Sequence, residues 1–287
     1  MIIKTRLLRA LSLVLVFTTF FLASSDVFAR SYRSISLSAR SAVIIDANSG
    51  EILFSKNPHL RLPPASTTKV MTAMIALEKL RLDSQIRIGR NAAAAAPSRA
   101  GLVPGTRYRV RDLITATLVS SSNDAAVALA EAVAGGESAF AKLMNEKAAK
   151  LGMKNTHFIN ATGLPVKNSK SDKRQYSTAY DLSRLMWYAS RDRRIDEMMA
   201  LTGTVICGSN GREIPLRCHN KMLWKAPGLV KGKTGWTLAS RHTFMGTNYT
   251  SPKAFTFAML SSTDPWIDIK HLANLGSVRA TQNRISS

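Results

Sequence analysis

The sequence predicts a layered α/β fold, in which an antiparallel β-sheet is flanked by helices and joined to a mostly helical lobe. Three observations support this prediction: a strand hairpin near residue 41, a long run of helical patterns in the middle of the chain, and a return to strand patterns before one last helix. Because a sheet must bury an apolar face against another layer, the first and last strands are expected to meet in one sheet.

Local patterns define the individual elements. Two apolar runs flank the turn-forming segment Ala47–Gly50, which predicts a hairpin over Ser41–Asn57. The next segment, Ser66–Leu80, is apolar on nearly every side and is therefore expected to be a buried helix. Thr178 and Asp181 have capping-box spacing at the start of another helix. Further helices are expected over 112–119, 124–134, 137–151 and 266–278, strands over 203–206, 213–217, 228–237, 243–249 and 254–261, and irregular structure over 91–111.

Composition and the first residues indicate an exported protein. The chain has 287 residues, of which 45% are hydrophobic and 20% charged, which excludes a disordered or multi-span membrane protein. Residues 1–29 resemble a secretory signal peptide, with a basic start, an apolar run over Leu11–Ala23 and small residues at Val27 and Ala29. The remaining 30–287 are predicted to form a single catalytic domain in the periplasm or cell-wall space, soluble or peripherally attached.

The charge of the chain is strongly positive, with 40 Lys and Arg against 18 Asp and Glu and a formal net charge of +22. Outside the cytoplasm this charge favours electrostatic contact with an anionic wall or membrane surface, and no nucleic-acid partner is expected. The five histidines are scattered without metal-ligand spacing, so no metal or cofactor is expected.

The two cysteines leave a disulfide undecided. Cys207 and Cys218 flank Asn210-Gly211, a strong hairpin signal. A two-residue turn there would place Cys207 opposite Ile214, so either the turn is longer or the two thiols are not bonded.

Ser66-x-x-Lys69 is the first motif with catalytic potential. Its two side chains share one face at the start of the buried helix. Serine needs an adjacent base to become a nucleophile, and a lysine can serve when burial or a second cation lowers its pKa.

Two more motifs complete the set. Ser121-x-Asn123 lies at a break between two helices, where a hydroxyl and an amide would face a cleft. Lys233-Thr234-Gly235 lies within a predicted strand, and a glycine there often marks close approach of a ligand. Each motif alone is weak, but the three in this order are specific.

With these motifs the chain resembles the low-molecular-mass penicillin-binding proteins of the D-alanyl-D-alanine carboxypeptidase family, which share the fold of β-lactamases and transpeptidases. The resemblance covers about Ser41 to Asp264 and is carried by five stretches: Ala65–Ala73, Val119–Glu131, Asn160–Pro165, Tyr176–Leu182 and Gly232–Thr237.

The resemblance implies catalytic roles for three side chains. Ser66 would attack the carbonyl of a D-Ala-D-Ala terminus and become acylated, with Lys69 as its general base. Ser121 would pass a proton to the departing D-alanine. The backbone N–H groups of Ser66 and Trp236 would stabilise the oxyanion.

The resemblance also implies binding roles. Asn123 would hydrogen-bond the substrate amide, Lys233 and Thr234 would bind the terminal carboxylate, and Gly235 would let the substrate lie against the strand. The expected partners are peptidoglycan stem peptides ending in D-Ala-D-Ala, with β-lactam antibiotics as covalent inhibitors.

Departures from the family pattern keep alternatives open. Ser240-Arg241 stands where many relatives have Ala-Gly, and 23 residues follow Asp264, so a C-terminal β-rich domain is not expected. This short domain organisation resembles that of the D,D-endopeptidases. Cleavage of peptidoglycan cross-links is therefore the alternative to carboxypeptidase activity. A class A β-lactamase would add a Glu-x-x-x-Asn pattern after the second motif, and none is present. A non-catalytic wall-binding or penicillin-sensing protein would not need both Lys69 and Ser121.

Overall fold

The computed structural model describes residues 36–166, 175–225, 230–249 and 254–282. The chain divides into two units, Met1–Ser36 and Leu37–Ser287. Only Ser36 of the first unit is described, so the predicted signal peptide lies outside the described residues.

A five-stranded antiparallel sheet contains the first and the last strands of the second unit, as the sequence predicts. Its spatial order is β2-β1-β9-β8-β7. The strands are β1 (Ser41–Asp46), β2 (Ile52–Lys56), β7 (Val230–Thr237), β8 (Arg241–Asn248) and β9 (Phe255–Ser262). In register, Val43 lies opposite Ala258 and Gly235 lies opposite Thr243. Strand β7 is an edge strand, which leaves one of its sides open to the helical lobe.

The helical lobe is built around one buried helix. A 3₁₀ turn (Ala65–Thr68) leads into α1 (Lys69–Lys79), whose residues from Lys69 to Leu77 are all buried. The helices Val110–Val119 and Asn123–Ala134 pack directly against α1. The other helices of the chain are α2 (Arg90–Ala94), α3 (Val110–Val119), α4 (Asn123–Ala134), α5 (Glu137–Lys150), α6 (Ala179–Ala189), α7 (Arg193–Met199), α8 (Lys221–Lys225) and α9 (Pro265–Gln282).

Helices cover both faces of the sheet. Ser183 on α6 contacts Thr256 on one face, whereas Gly276 on α9 lies against the ring of Phe255 on the other. Because neighbouring residues of a strand point to opposite faces of the sheet, these two contacts place α6 and α9 on opposite faces. The buried carboxylate of Asp268 on α9 accepts hydrogen bonds from the backbone N–H of Ser38 at 2.9 Å and other groups, which fixes the segment before β1.

Two short ribbons extend the lobe. They are β3 (Gln85–Arg87) with β4 (Arg107–Arg109), and β5 (Gly203–Cys207) with β6 (Glu213–Arg217). The tip of the second ribbon contacts the first, because the Ser209 N–H donates to the Arg107 carbonyl at 2.9 Å.

The register of the β5–β6 ribbon resolves the cysteine question. Cys207 lies opposite Glu213, one position from the two-residue-turn expectation, because five residues form the connection. Both cysteines are free thiols: Cys207 is exposed and Cys218 is buried.

The sequence-based elements agree with the structure except in short segments. Residues 91–111 were expected to be irregular, yet they contain most of α2 and all of β4. In α2 only Ala92 is buried, and β4 has three residues, so neither gives a periodic signal. Helices α7 and α8 are short as well and were not predicted. Within the described part of the chain, every helix falls short of the length and apolarity that a bilayer span requires.

Candidate active site

The turn that carries Ser66 is held from both sides. On the sheet side, Thr243 Oγ1 donates to the Pro64 carbonyl at 3.0 Å. On the other side, a Cβ added to Gly163 would lie 1.9 Å from the Ala65 carbonyl oxygen. Ala65 itself has a φ of +48°, in the left-handed region that non-glycine residues rarely adopt. Such strain persists only where surrounding contacts impose it, which is typical of functional sites.

Lys69 lies directly beside the serine. Its Nζ donates to Ser66 Oγ at 3.0 Å and to the Thr162 carbonyl at 2.7 Å. Burial is complete, and burial first and the charge of Lys233 second hold the pKa of Lys69 well below its ordinary value. Glu137 opposes this shift. The amine is therefore suited to accept a proton near neutral pH.

The second motif lies at the junction of α3 and α4. Ser121 has a φ of +59°, which turns the chain sharply between the two helices. Asn123 is the first residue of α4; its backbone N–H donates to the Ser98 carbonyl at 2.8 Å, and its Nδ2 donates to the Pro97 carbonyl. Its buried Oδ1 has no partner among the described residues. That oxygen can accept an N–H from a bound ligand.

Lys233 joins the second motif to the third. Its Nζ donates to Ser121 Oγ and to the Thr234 carbonyl, both at 2.9 Å. Burial lowers the pKa of Lys233 to about 8. At pH 7 this ammonium still carries most of its charge, so the site combines one cation with one more readily deprotonated amine.

Gly235 brings strand β7 against the serine-bearing turn. A Cβ at this position would lie 2.4 Å from Thr243 Oγ1 and 2.8 Å from the Ser66 nitrogen. No side chain fits there, because the serine-bearing turn packs against the strand at Gly235. Close approach of a ligand to Gly235 stays a prediction. Thr234 is partly exposed and Trp236 is 56% exposed, next to this contact.

The eight predicted site residues therefore lie in one region.

Three groups that hold the site residues in place were not predicted from the sequence. They are the Thr162 carbonyl, which accepts from Lys69, the loop over 97–98, which holds Asn123, and the carboxylate of Glu137. Glu137 Oε1 accepts the Ala161 N–H at 3.0 Å and so fixes the loop that contacts Lys69. Burial raises the pKa of Glu137. Backbone carbonyls and loop contacts carry no sequence motif, although the Asn160–Pro165 stretch of the family resemblance points to this loop.

The departure at Ser240-Arg241 forms the tight connection between β7 and β8. Ser240 Oγ lies 2.8 Å from Thr237 Oγ1 and donates to the Arg241 carbonyl at 2.8 Å. Arg241 has a φ of +56° and is exposed. The following His242 lies with its ring centroid 6.4 Å from that of Trp236, so this turn borders the site.

The arrangement pairs a serine hydroxyl with an adjacent amine of lowered pKa, a combination that is suited to nucleophilic catalysis. The chain belongs to the D-alanyl-D-alanine carboxypeptidase family, whose sequence profile matches residues 27–261.

Individual relatives agree with this assignment. D-alanyl-D-alanine carboxypeptidase DacF of Bacillus subtilis is 34% identical over 207 residues, which are 69% of this chain and 51% of the relative. A D-alanyl-D-alanine endopeptidase of Pseudomonas aeruginosa is 42% identical over 152 residues, covering 52% of this chain and 47% of that protein. The matches thus span about half the length of these two curated relatives.

A solved structure confirms the predicted fold. The crystal structure of D-alanyl-D-alanine carboxypeptidase from Mycobacterium tuberculosis superposes with a TM-score of 0.79 at 29% identity and covers 86% of this chain and 95% of that one. The layered fold of the penicillin-binding D,D-peptidases is therefore established for this chain.

Proposed function

We propose that this protein is a serine D-Ala-D-Ala carboxypeptidase that trims peptidoglycan stem peptides through an acyl-enzyme. The observation that carries the proposal is the pair formed by Ser66 and Lys69: the two side chains lie 3.0 Å apart, and the amine is completely buried. Burial favours the neutral amine, which is the form that can activate a hydroxyl.

Acylation begins with attack of Ser66 Oγ on the carbonyl carbon of the penultimate D-alanine. The hydroxyl proton moves to the neutral Nζ of Lys69, and the oxyanion accepts hydrogen bonds from the backbone N–H groups of Ser66 and Trp236. The C–N bond then breaks. The departing amine of the terminal D-alanine takes the proton that Lys69 received, by way of the Ser121 hydroxyl, which Lys233 holds at 2.9 Å, so that Lys69 is neutral again.

Hydrolysis completes the cycle. Water attacks the Ser66 ester and gives one proton to a basic group at the site. The ester C–O bond then breaks, Ser66 Oγ takes that proton back from the base, and the stem peptide leaves shortened by one D-alanine. Lys69 is the closest such group, since its Nζ contacts Ser66 Oγ directly.

Substrate recognition would use the third motif and Asn123. The cation of Lys233 and the hydroxyl of partly exposed Thr234 are suited to the terminal carboxylate. The unpartnered Oδ1 of Asn123 can accept an amide N–H of the substrate. Because Gly235 has no side chain, β7 can lie against the turn that carries Ser66, so an extended peptide along the free edge of β7 would reach the serine.

β-Lactam antibiotics would acylate the same serine and act as covalent inhibitors. The substrate places the protein in the periplasm or cell-wall space, which agrees with the signal peptide predicted over 1–29. The net charge of +22 would support electrostatic contact with an anionic wall or membrane surface.

A second candidate is cleavage of D,D cross-links between peptidoglycan strands. The Pseudomonas aeruginosa relative, named as an endopeptidase, has 42% identity over its matched segment. The same serine and lysine would perform this reaction, because only the group on the leaving amine differs.

The decisive experiment is covalent labelling with benzylpenicillin, followed by mass spectrometry. The wild-type protein is expected to form an adduct at Ser66, and Ser66→Ala is expected to remain folded and unlabelled. Ser55→Ala provides a matched control, since Ser55 is exposed on β2 at the opposite edge of the sheet. Labelling of Ser66→Ala would remove Ser66 from the mechanism. Incubation with a pentapeptide and with a cross-linked muropeptide then separates the two candidate activities.

A further inference from the structure

Five exposed arginines lie at one corner of the helical lobe, outside the site described above. They belong to the β3–β4 ribbon, to α2 and the loop after it, and to the tip of the β5–β6 ribbon. We call this set the arginine face; its members are Arg87, Arg90, Arg99, Arg107 and Arg212.

Two of these arginines face each other across a strand pair. Arg87 lies directly opposite Arg107 in the β3–β4 register, on the exposed side of the ribbon, while Ile86 and Tyr108 turn inward. Like charges directly opposite one another destabilise a strand pair. The neighbouring Arg109 forms an ion pair with Asp112, but no ion pair among the described residues includes a member of the arginine face.

The other three arginines line an open groove of about 690 Å³. Its remaining wall is formed by α2 and residues 100–104, without a carboxylate. Arg99 is fixed at one side of it, because its Nη1 donates to the Ala93 carbonyl at 3.2 Å. The carboxylate of Glu131 near α2 is occupied, since it accepts from Asn91 Nδ2 at 2.7 Å. The groove therefore presents guanidinium groups without a protein anion to neutralise them.

The groove shares a wall with the candidate active site. The segment 97–102 that runs into the groove also carries the Pro97 and Ser98 carbonyls that hold Asn123. The buried carboxylate of Asp124 accepts the N–H groups of residues 100–102 at 2.9–3.1 Å, which fixes this segment against α4. One segment of the chain, residues 97–102, therefore connects the groove with the candidate active site.

We propose that the arginine face is a second binding site of the enzyme and takes the carboxylates of the peptidoglycan strand that flanks the stem peptide being cleaved. The planar guanidinium fork binds carboxylates in a bidentate manner. Peptidoglycan is the anion favoured here because the groove adjoins the Asn123 segment. This inference rests on the proposed function, and it predicts that the arginines act on polymeric substrate and not on the chemistry at Ser66.

The test compares binding of purified peptidoglycan by pelleting, with the full mature chain carrying Ser66→Ala so that no turnover occurs. The peptidoglycan is first stripped of phosphate polymers by acid treatment. Adding Arg90→Gln and Arg212→Gln is expected to weaken binding about fourfold to twenty-fivefold, since each exposed ionic contact contributes a factor of about two to five. The matched control, Arg40→Gln with Lys270→Gln, removes the same charge from the exposed surface near the sheet and is expected to bind as before.

Three further results decide the proposal. Amidation of the peptidoglycan carboxylates should reduce binding of the parent protein to the level of the arginine variant. Equal binding by the arginine variant and its control would overturn the proposal. So would an arginine effect that appears only on peptidoglycan still carrying phosphate polymers.

Penicillin labelling is measured in parallel on proteins that keep Ser66, with and without the two arginine substitutions. Absence of labelling in the wild type would contradict the proposed function itself. Intact labelling together with unchanged peptidoglycan binding by the arginine variant would overturn this inference alone.

Discussion

Gly235 marks the closest approach of strand β7 to the serine-bearing turn, and Gly235→Ala measures how much the reaction depends on that approach. The added methyl would lie 2.4 Å from Thr243 Oγ1 and 2.8 Å from the Ser66 nitrogen. To reach an ordinary contact of 3.4 Å, the methyl must move about 0.6 Å away from the serine-bearing turn and about 1.0 Å away from the Thr243 hydroxyl on β8. Because a displacement near 1 Å costs about a hundredfold in rate, acylation of Ser66 is expected to slow by about that factor.

The assay is the second-order rate of labelling by a fluorescent penicillin, with a urea unfolding curve for each variant. Overpacking is expected to lower the free energy of unfolding by about 1 to 3 kcal/mol. Gly136→Ala is the matched control, because its new methyl would meet no atom within 4 Å in an extended backbone. Thr243→Ala in the Gly235→Ala background removes one of the two clashes and should leave acylation slow, since the contact with Ser66 persists. Near-wild-type labelling of Gly235→Ala would refute the reasoning.

The other predictions concern the lysines, one structural carboxylate and the thiols. Lys69→Met is expected to slow acylation by about a hundredfold to ten-thousandfold, measured by penicillin labelling, because the general base is lost; an unchanged rate would assign the base to another group. In the wild type, kcat/KM for a pentapeptide should rise with pH as Lys69 loses its proton. It should fall above about pH 8, because Lys233 then loses the charge that would bind the substrate carboxylate. A flat pH profile would contradict both assignments. Asp268→Asn should lower the free energy of unfolding by about 2 kcal/mol in urea while penicillin labelling persists, because charge-assisted hydrogen bonds to the segment before β1 are weakened; unchanged stability would show that this contact contributes little. A thiol reagent should modify Cys207 in the native protein and Cys218 only in denaturant, and resistance of both cysteines would indicate a bond between them.

Long elements with a regular pattern were predictable from sequence. The helix over Ser66–Leu80 is apolar on nearly all sides, and it is the buried α1 of the structure. The Thr178 hydroxyl accepts the Asp181 N–H at 3.0 Å, as the capping-box spacing predicts. Both signals are local, since helical periodicity and capping depend on residues within one or two turns. Segments of three to seven residues, such as α2 and β4, lack enough positions for a period to show.

For the candidate active site, the sequence by itself predicted which residues would carry the chemistry: three short motifs, each of which keeps its polar groups within three residues of one another. Only the tertiary structure decided what surrounds them. The Thr162 carbonyl at Lys69, the 97–98 segment at Asn123 and the close passage of Gly235 past Ser66 all join residues far apart in the chain. The same holds for the arginine face, which comes from three separate segments. Such contacts depend on how helices and strands pack, and the lowered pKa of Lys69 follows from that packing because burial is a property of the whole fold.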